Sequence, residues 1–211
     1  MAAKRPRFKI SFVALVTQTS ERQGLRYNYN GTPEILKWSG AVSRLRRLFL
    51  SDCYFFVTYN LSRERSLLGE TDFASLAESI ASARTAHPFL LTAWVFLPDH
   101  WHGIVYPPYP LTISRVLKSI KLISTPFINR LRRELGQLWQ GRFFDHALRT
   151  VRKYHECINY IHQNPVRRAL VERPEQWKWS SVHSYLGRHQ AFLPIDRVQL
   201  PTDPETRLVN G

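Results

Sequence analysis

The stretch Phe89-Leu-Leu-Thr-Ala-Trp-Val-Phe-Leu-Pro-Asp-His-Trp-His-Gly-Ile-Val-Tyr106 decides how the chain folds. Both halves are apolar, aromatic and β-branched, and Pro98-Asp99 separates them. They read as two strands of a hairpin, Phe89 to Phe96 and His100 to Tyr106. Side chains alternate across a strand, so His100 and His102 share one face while Trp101 turns to the other. Two neutral imidazoles side by side are what a divalent metal needs as its first two protein ligands.

Working outward, Tyr54-Phe-Phe-Val-Thr-Tyr59 is aromatic and β-branched, hence a strand. Thr71 or Asp72 caps a helix that carries Phe73, Leu76, Ile80 and Ala83 at helical spacing. Beyond the hairpin, Pro107, Pro108 and Pro110 form a rigid link. A longer helix starts at Thr112 with Ile113, Val116, Leu117, Ile120 and Ile123 on its core face. Pro126 is expected to kink or restart it, and Gly136 to end it. Leu138 to Ala147 reads as a fourth strand. The order β-α-β-β-α-β predicts an α+β chain with a ferredoxin-like antiparallel sheet and both helices on one face.

A last helix runs from about Val151 to Gln163, with Val151, Tyr154, Ile158 and Ile161 as its apolar stripe. At ~100° per residue, Tyr160 lies about 200° round from Ile158, away from that stripe. Asn164 is one turn further on and shares the Tyr160 face. Pro165 disfavours helix at the residue before it, which places Asn164 at the frayed end. Residues 1–43 form an extension of unread role, punctuated by turn residues from Gly24 to Pro33. Residues 44–187 form the domain. Residues 188–211, with Pro194, Pro201 and Pro204, are expected to be a loose tail.

The chain has 211 residues and 30 Lys+Arg against 16 Asp+Glu, a net +14. The excess recurs along the chain, at Arg44, Arg46 and Arg47, at Lys118 and Lys121, at Arg130, Arg132 and Arg133, at Arg152 and Lys153, and at Arg167 and Arg168. Such a balance points to a polyanionic partner, most simply nucleic acid. Cys53 and Cys157 are too few for a disulfide framework or a zinc knuckle. No window approaches the ~20 apolar residues of a membrane span, and Ile10 to Val16 is too short for a signal sequence. A cytoplasmic location is expected.

Five segments in order, Tyr54 to Tyr59, Val95 to His102, Leu138 to His146, Tyr160 to Val166 and Trp177 to Ser181, resemble the single-tyrosine HUH transposases, and within them the REP-associated tyrosine transposases. HUH denotes His-hydrophobic-His, here His100-Trp101-His102. The resemblance implies single-stranded DNA cleavage and strand transfer on hairpin or palindromic DNA. Tyr160 is then the nucleophile, forming a 5′-phosphotyrosyl link. His100, His102 and the Asn164 side-chain oxygen are the ligands of Mg²⁺ or Mn²⁺. A phenol ordinarily titrates near about 10, so Tyr160 needs help, and the metal, Lys153 or Arg152 are equal candidates. Arg44, Arg46, Arg47, Lys118, Lys121, Arg152 and Lys153 are candidate DNA contacts. The working unit is a monomer or a homodimer.

Two rival readings stand beside this one. A non-catalytic nucleic-acid-binding module would display the aromatics of a four-stranded sheet, as RRM domains do. A replication or transfer initiator with the same HUH chemistry often carries a second tyrosine, for which Tyr154 is the candidate.

Overall fold

The computed structural model describes residues 52–188 and 192–208, with the backbone of two short strands, Gly24–Tyr27 (β1) and Pro33–Leu36 (β2). The chain divides into two compact units between Leu48 and Phe49. In the first, β1 and β2 pair antiparallel with Gly24 opposite Leu36. Arg44, Arg46 and Arg47 lie outside the described residues.

The second unit has strands Tyr54–Asn60 (β3), Leu90–Leu97 (β4), His100–Tyr106 (β5) and Phe144–Leu148 (β6) in one sheet, ordered β4-β5-β3-β6. Every pair is antiparallel. Helix Glu70–Ala86 (α1) joins β3 to β4, helix Ile113–Arg132 (α2) joins β5 to β6, and helix Val151–Arg167 (α3) follows β6. This is the ferredoxin-like order that the sequence predicts. Alternation divides the strand residues between two apolar layers. Phe55, Val57, Tyr59, Trp94, Phe96, Trp101 and Val105 pack under α1 and α2. Phe56, Ala93, Val95, Leu97 and Ile104 face α3 through Tyr154, Ile158 and Ile161. The two β-α-β helices therefore share a face, and α3 closes the other.

Several local expectations are corrected. Helix α1 starts at Glu70, ahead of Thr71. Asp72 acts from the third helical position, its Oδ2 accepting from Gly69 N at 2.8 Å. Helix α2 passes unbroken through Pro126 and ends before Gly136, with Arg133 in the left-handed region at φ 55°. Only Phe144–Leu148 of the expected fourth strand is a strand. Leu138 and Trp139 are instead fully buried, and Trp139 makes a single bridge to Leu61.

Among the described residues, the segments after α3 make long-range contacts with the domain. Residues Trp179 to Ser181 run along the free edge of β4, with Phe96 N donating to Trp179 O and Ser181 N to Trp94 O, both at 2.9 Å. Leu193 is fully buried, and Asp196 accepts from Arg84 and from Leu91 N. Leu208 N donates to Arg149 O at 2.9 Å, near the start of α3. These contacts pair distant segments, so local composition carries no sign of them. Among the described residues no helix is long and apolar enough to cross a membrane.

Candidate active site

The register of the sheet sets the site. His102 lies opposite Thr58 on β3 and Val95 on β4, and His100 opposite Asn60 and Leu97. Both imidazoles thus stand on the α3 face at the turn end of the hairpin, 7% and 4% exposed for His100 and His102. Trp101, between them, points into the opposite layer and is fully buried. Its indole anchors β5, so the two histidines are presented from a fixed strand.

The ring nitrogens converge. His100 Nε2 and His102 Nε2 lie 2.9 Å apart. Each Nδ1 is occupied on its far side. His100 Nδ1 lies 2.7 Å from Asp99 Oδ1, and His102 Nδ1 lies 2.8 Å from Thr58 Oγ1. Burial favours the neutral form of His102, and a positive His100 would add to that; together they hold its imidazole well below the ordinary histidine range. Burial pushes the Asp99 carboxyl up, but hydrogen bonding to His100 and the charges of His100 and Arg168 outweigh it and bring it to about 2. The carboxylate is therefore an acceptor only.

Helix α3 brings the phenol. Thr150 caps it, the hydroxyl accepting from Lys153 N at 3.2 Å. The buried stripe of Tyr154, Ile158 and Ile161 beds the helix on the sheet. The Tyr160 ring meets the edge of Phe56 at 5.7 Å and of His102 at 5.4 Å between centroids. Tyr160 is half-buried, and the guanidinium carbon of Arg167 lies 5.1 Å from its ring centre. The charge beside the phenol is thus Arg167, two turns along the same helix face. Arg152 is exposed and paired with Glu205, and Lys153 pairs with Glu156 at 2.9 Å, two turns before Tyr160.

Asn164 is buried at 5% and lies inside α3, because the helix continues through Pro165 to Arg167. This corrects its placement at a frayed end. Asn164 O accepts from Arg168 N at 3.0 Å, and Pro165 O from Leu170 N at 2.9 Å, so the last turn closes beyond the proline. His162 is buried, its Nε2 3.0 Å from Ser181 Oγ, and burial lowers it to about 4; it is a packing residue and not an exposed DNA contact. Tyr154 is 2% exposed and packed edge-on against Tyr54. Lys118 and Lys121 sit on α2, across the sheet from the histidines, Lys118 in an open groove with His87 and Arg115. Trp139 and Trp179 are core residues.

Residues 50–164 match the family model described as "Transposase IS200 like", a span that begins just before β3 and ends on Asn164. The chain belongs to the IS200-like transposases. Within this family it is similar to the REP-associated tyrosine transposase of Escherichia coli (strain K12), 32% identical over 156 residues that cover 74% of this chain and 90% of that protein. A solved structure of a REP-associated tyrosine transposase bound to a REP hairpin superposes with a TM-score of 0.62 at 31% identity, covering 80% of this chain and 99% of the other. The transposase is accordingly an enzyme of the tyrosine class. Asp99, Thr58, Arg167 and Arg168 lie around the His pair and Tyr160, and the motif alone does not name them.

Proposed function

We propose that this transposase is a metal-dependent single-stranded DNA endonuclease and strand transferase, with Tyr160 as nucleophile and hairpin or palindromic DNA as substrate. One observation carries the reading: the Tyr160 ring packs on His102 while the two histidine Nε2 atoms meet at 2.9 Å. The donor set fits a divalent cation. Both Nδ1 atoms are engaged outside the pair, which leaves both Nε2 atoms facing one point. His100 and His102 would hold Mg²⁺ or Mn²⁺ with Asn164, and the bound ion supplies charge neutralisation and orientation at the phosphate.

In the proposed reaction the Tyr160 phenol oxygen bonds to a backbone phosphorus and loses its proton. The P–O3′ bond breaks, and the departing 3′ oxygen takes up a proton as a free hydroxyl. The enzyme keeps a 5′-phosphotyrosyl ester. A 3′-hydroxyl from another strand reverses the step and restores the phenol, so no external energy source is required. Arg167, beside the Tyr160 ring, places a forked donor where phosphate oxygens approach. Arg152 and Lys153, on the first turn of α3, are proposed phosphate contacts leading to that point. Lys118 and Lys121, on the opposite face, would form a separate contact with DNA.

The binding-module reading is disfavoured because apolar layers cover the central strands on both faces. The two-tyrosine reading is disfavoured because Tyr154 is buried. The test is incubation of labelled hairpin DNA with protein and Mn²⁺, followed by denaturing electrophoresis. A covalent adduct is expected with wild type and not with Tyr160→Phe, which still binds DNA. Binding by wild type without any adduct overturns the proposal.

A further inference from the structure

Asp99 occupies the two-residue turn between β4 and β5, and its carboxylate bridges two elements. Oδ1 lies 2.7 Å from His100 Nδ1, and Oδ2 accepts from Arg168 Nη2 at 2.8 Å. Arg168 caps the C-terminal end of α3, the helix of Tyr160 and Asn164. The turn itself is pinned. Asp99 O accepts from Leu61 N at 2.8 Å, and Pro98 O from Leu68 N at 2.7 Å. The carboxylate therefore sits at a defined place relative to the His100 ring.

From this geometry we infer that Asp99 is a positioning residue for His100, and that Arg168 holds Asp99 to its task. The inference rests on the metal-dependent reading above. With Oδ2 paired to the Arg168 guanidinium, Oδ1 is placed to accept from His100 Nδ1–H, which leaves the Nε2 lone pair facing His102. The partner of His102 differs in kind. A threonine hydroxyl donates or accepts, so Thr58 tolerates either tautomer of His102. Asp99 thus pre-sets the His100 ring, and a cation held there would find its Nε2 facing that of His102. Asp99 faces the Nδ1 side of His100, so it acts through the ring and not as a ligand. Among the described residues no cluster of three His, Cys, Asp or Glu side chains is placed to hold a metal. Because Arg168 closes the helix that carries Tyr160, the same ion pair ties the nucleophile's helix to the hairpin of the histidines.

The experiment uses the full chain with ¹⁵N-labelled histidine, in chelator and then titrated with Mn²⁺ by calorimetry. In wild type, the two-bond ¹⁵N–¹H correlations of His100 are expected to show the Nδ1–H tautomer. Asp99→Ala is expected to shift His100 toward Nε2–H and to weaken Mn²⁺ binding by about 10–100-fold, the usual range for loss of an outer-shell partner. Arg168→Ala leaves the turn intact and should shift both readouts in the same direction by less, which decides the matter if Asp99→Ala fails to fold. His100→Ala is the control for the underlying reading and should abolish binding. Wild-type tautomer and affinity in both Asp99→Ala and Arg168→Ala, with binding lost in His100→Ala, overturns this inference alone. Unchanged affinity in His100→Ala overturns the metal reading and this inference with it.

Discussion

Replacing Gly103 by alanine tests how tightly the histidine strand is anchored. Gly103 follows His102 on β5, on the same side as Trp101. A Cβ there would lie 2.9 Å from Trp101 Cζ3, 3.4 Å from Ala93 O and 3.5 Å from Leu91 Cδ1. The first distance is below any ordinary van der Waals contact. Trp101 and Leu91 are fully buried, and Ala93 O belongs to the neighbouring strand, so nothing nearby yields freely. Forcing a methyl group into such a layer costs about 1–3 kcal/mol. In a domain of this size each kcal/mol lowers Tm by about 2–4 °C, so the midpoint of that range gives a fall of roughly 4–8 °C. Gly141 is the internal control. A Cβ there meets nothing within 4 Å, and Gly141→Ala should stay within about 0.5 kcal/mol of wild type. Trimming the indole should relieve the clash, so Gly103→Ala is expected to cost less in a Trp101→Phe background, a coupling that a double-mutant cycle reads directly. Calorimetric Tm values of wild type and the four variants provide the measurement. A Gly103→Ala protein that melts within about 1 °C of wild type would refute the claim that Trp101 clamps this strand.

Three further outcomes are expected. Burial pushes the Asp72 carboxyl up, but the bonds from Arg132 to both its oxygens, the bond from Gly69 N and the Arg132 charge outweigh it and hold the carboxyl below its ordinary value. A depressed native value means stability that is present above about pH 4 and lost as pH falls through it, so Asp72→Asn should cost about 2–4 kcal/mol at pH 7 and progressively less toward pH 2.5, read from urea unfolding at each pH. Thr58→Val removes the hydroxyl at His102 Nδ1 and leaves a buried ring nitrogen without that partner, so it should destabilise the fold by about 1–3 kcal/mol by the same assay; an unchanged midpoint contradicts the assignment. Arg167→Ala should slow adduct formation by about 10–100-fold, somewhat below the loss from a buried oxyanion donor because Arg167 is exposed, while Tm is unchanged; an unaltered rate removes Arg167 from the reaction.

The strands were legible because Tyr54–Tyr59 and the Phe89–Tyr106 hairpin are aromatic and β-branched around a Pro-Asp turn. Strand alternation also told which histidines share a face. The prolines misled. Pro126 and Pro165 carry a local helix penalty of about 3 kcal/mol, yet both helices continue, since buried neighbours such as Ile128 and Ile161 pack them into the two apolar layers. Leu138 and Trp139 read as strand because burial, not pairing, is what their apolarity serves. The surroundings of the histidines divided in the same way. Arg167 sits seven residues after Tyr160, two turns on the same face, so its proximity was available from helical geometry. Arg168 reaching Asp99, and Ser181 reaching His162, join segments far apart in the chain, and only the assembled fold brings them together. The placement of Lys118 and Lys121 on the far side depends on which face α2 covers, which local periodicity does not specify.

The central claim is that the phenol beside the paired imidazoles is the group that becomes joined to DNA. Peptide mapping by mass spectrometry of the protein–DNA adduct formed with Mn²⁺ tests it most directly. A nucleotide remnant on the α3 peptide, localised to Tyr160, is the expected result. A remnant on any other residue, Tyr154 included, would contradict the account.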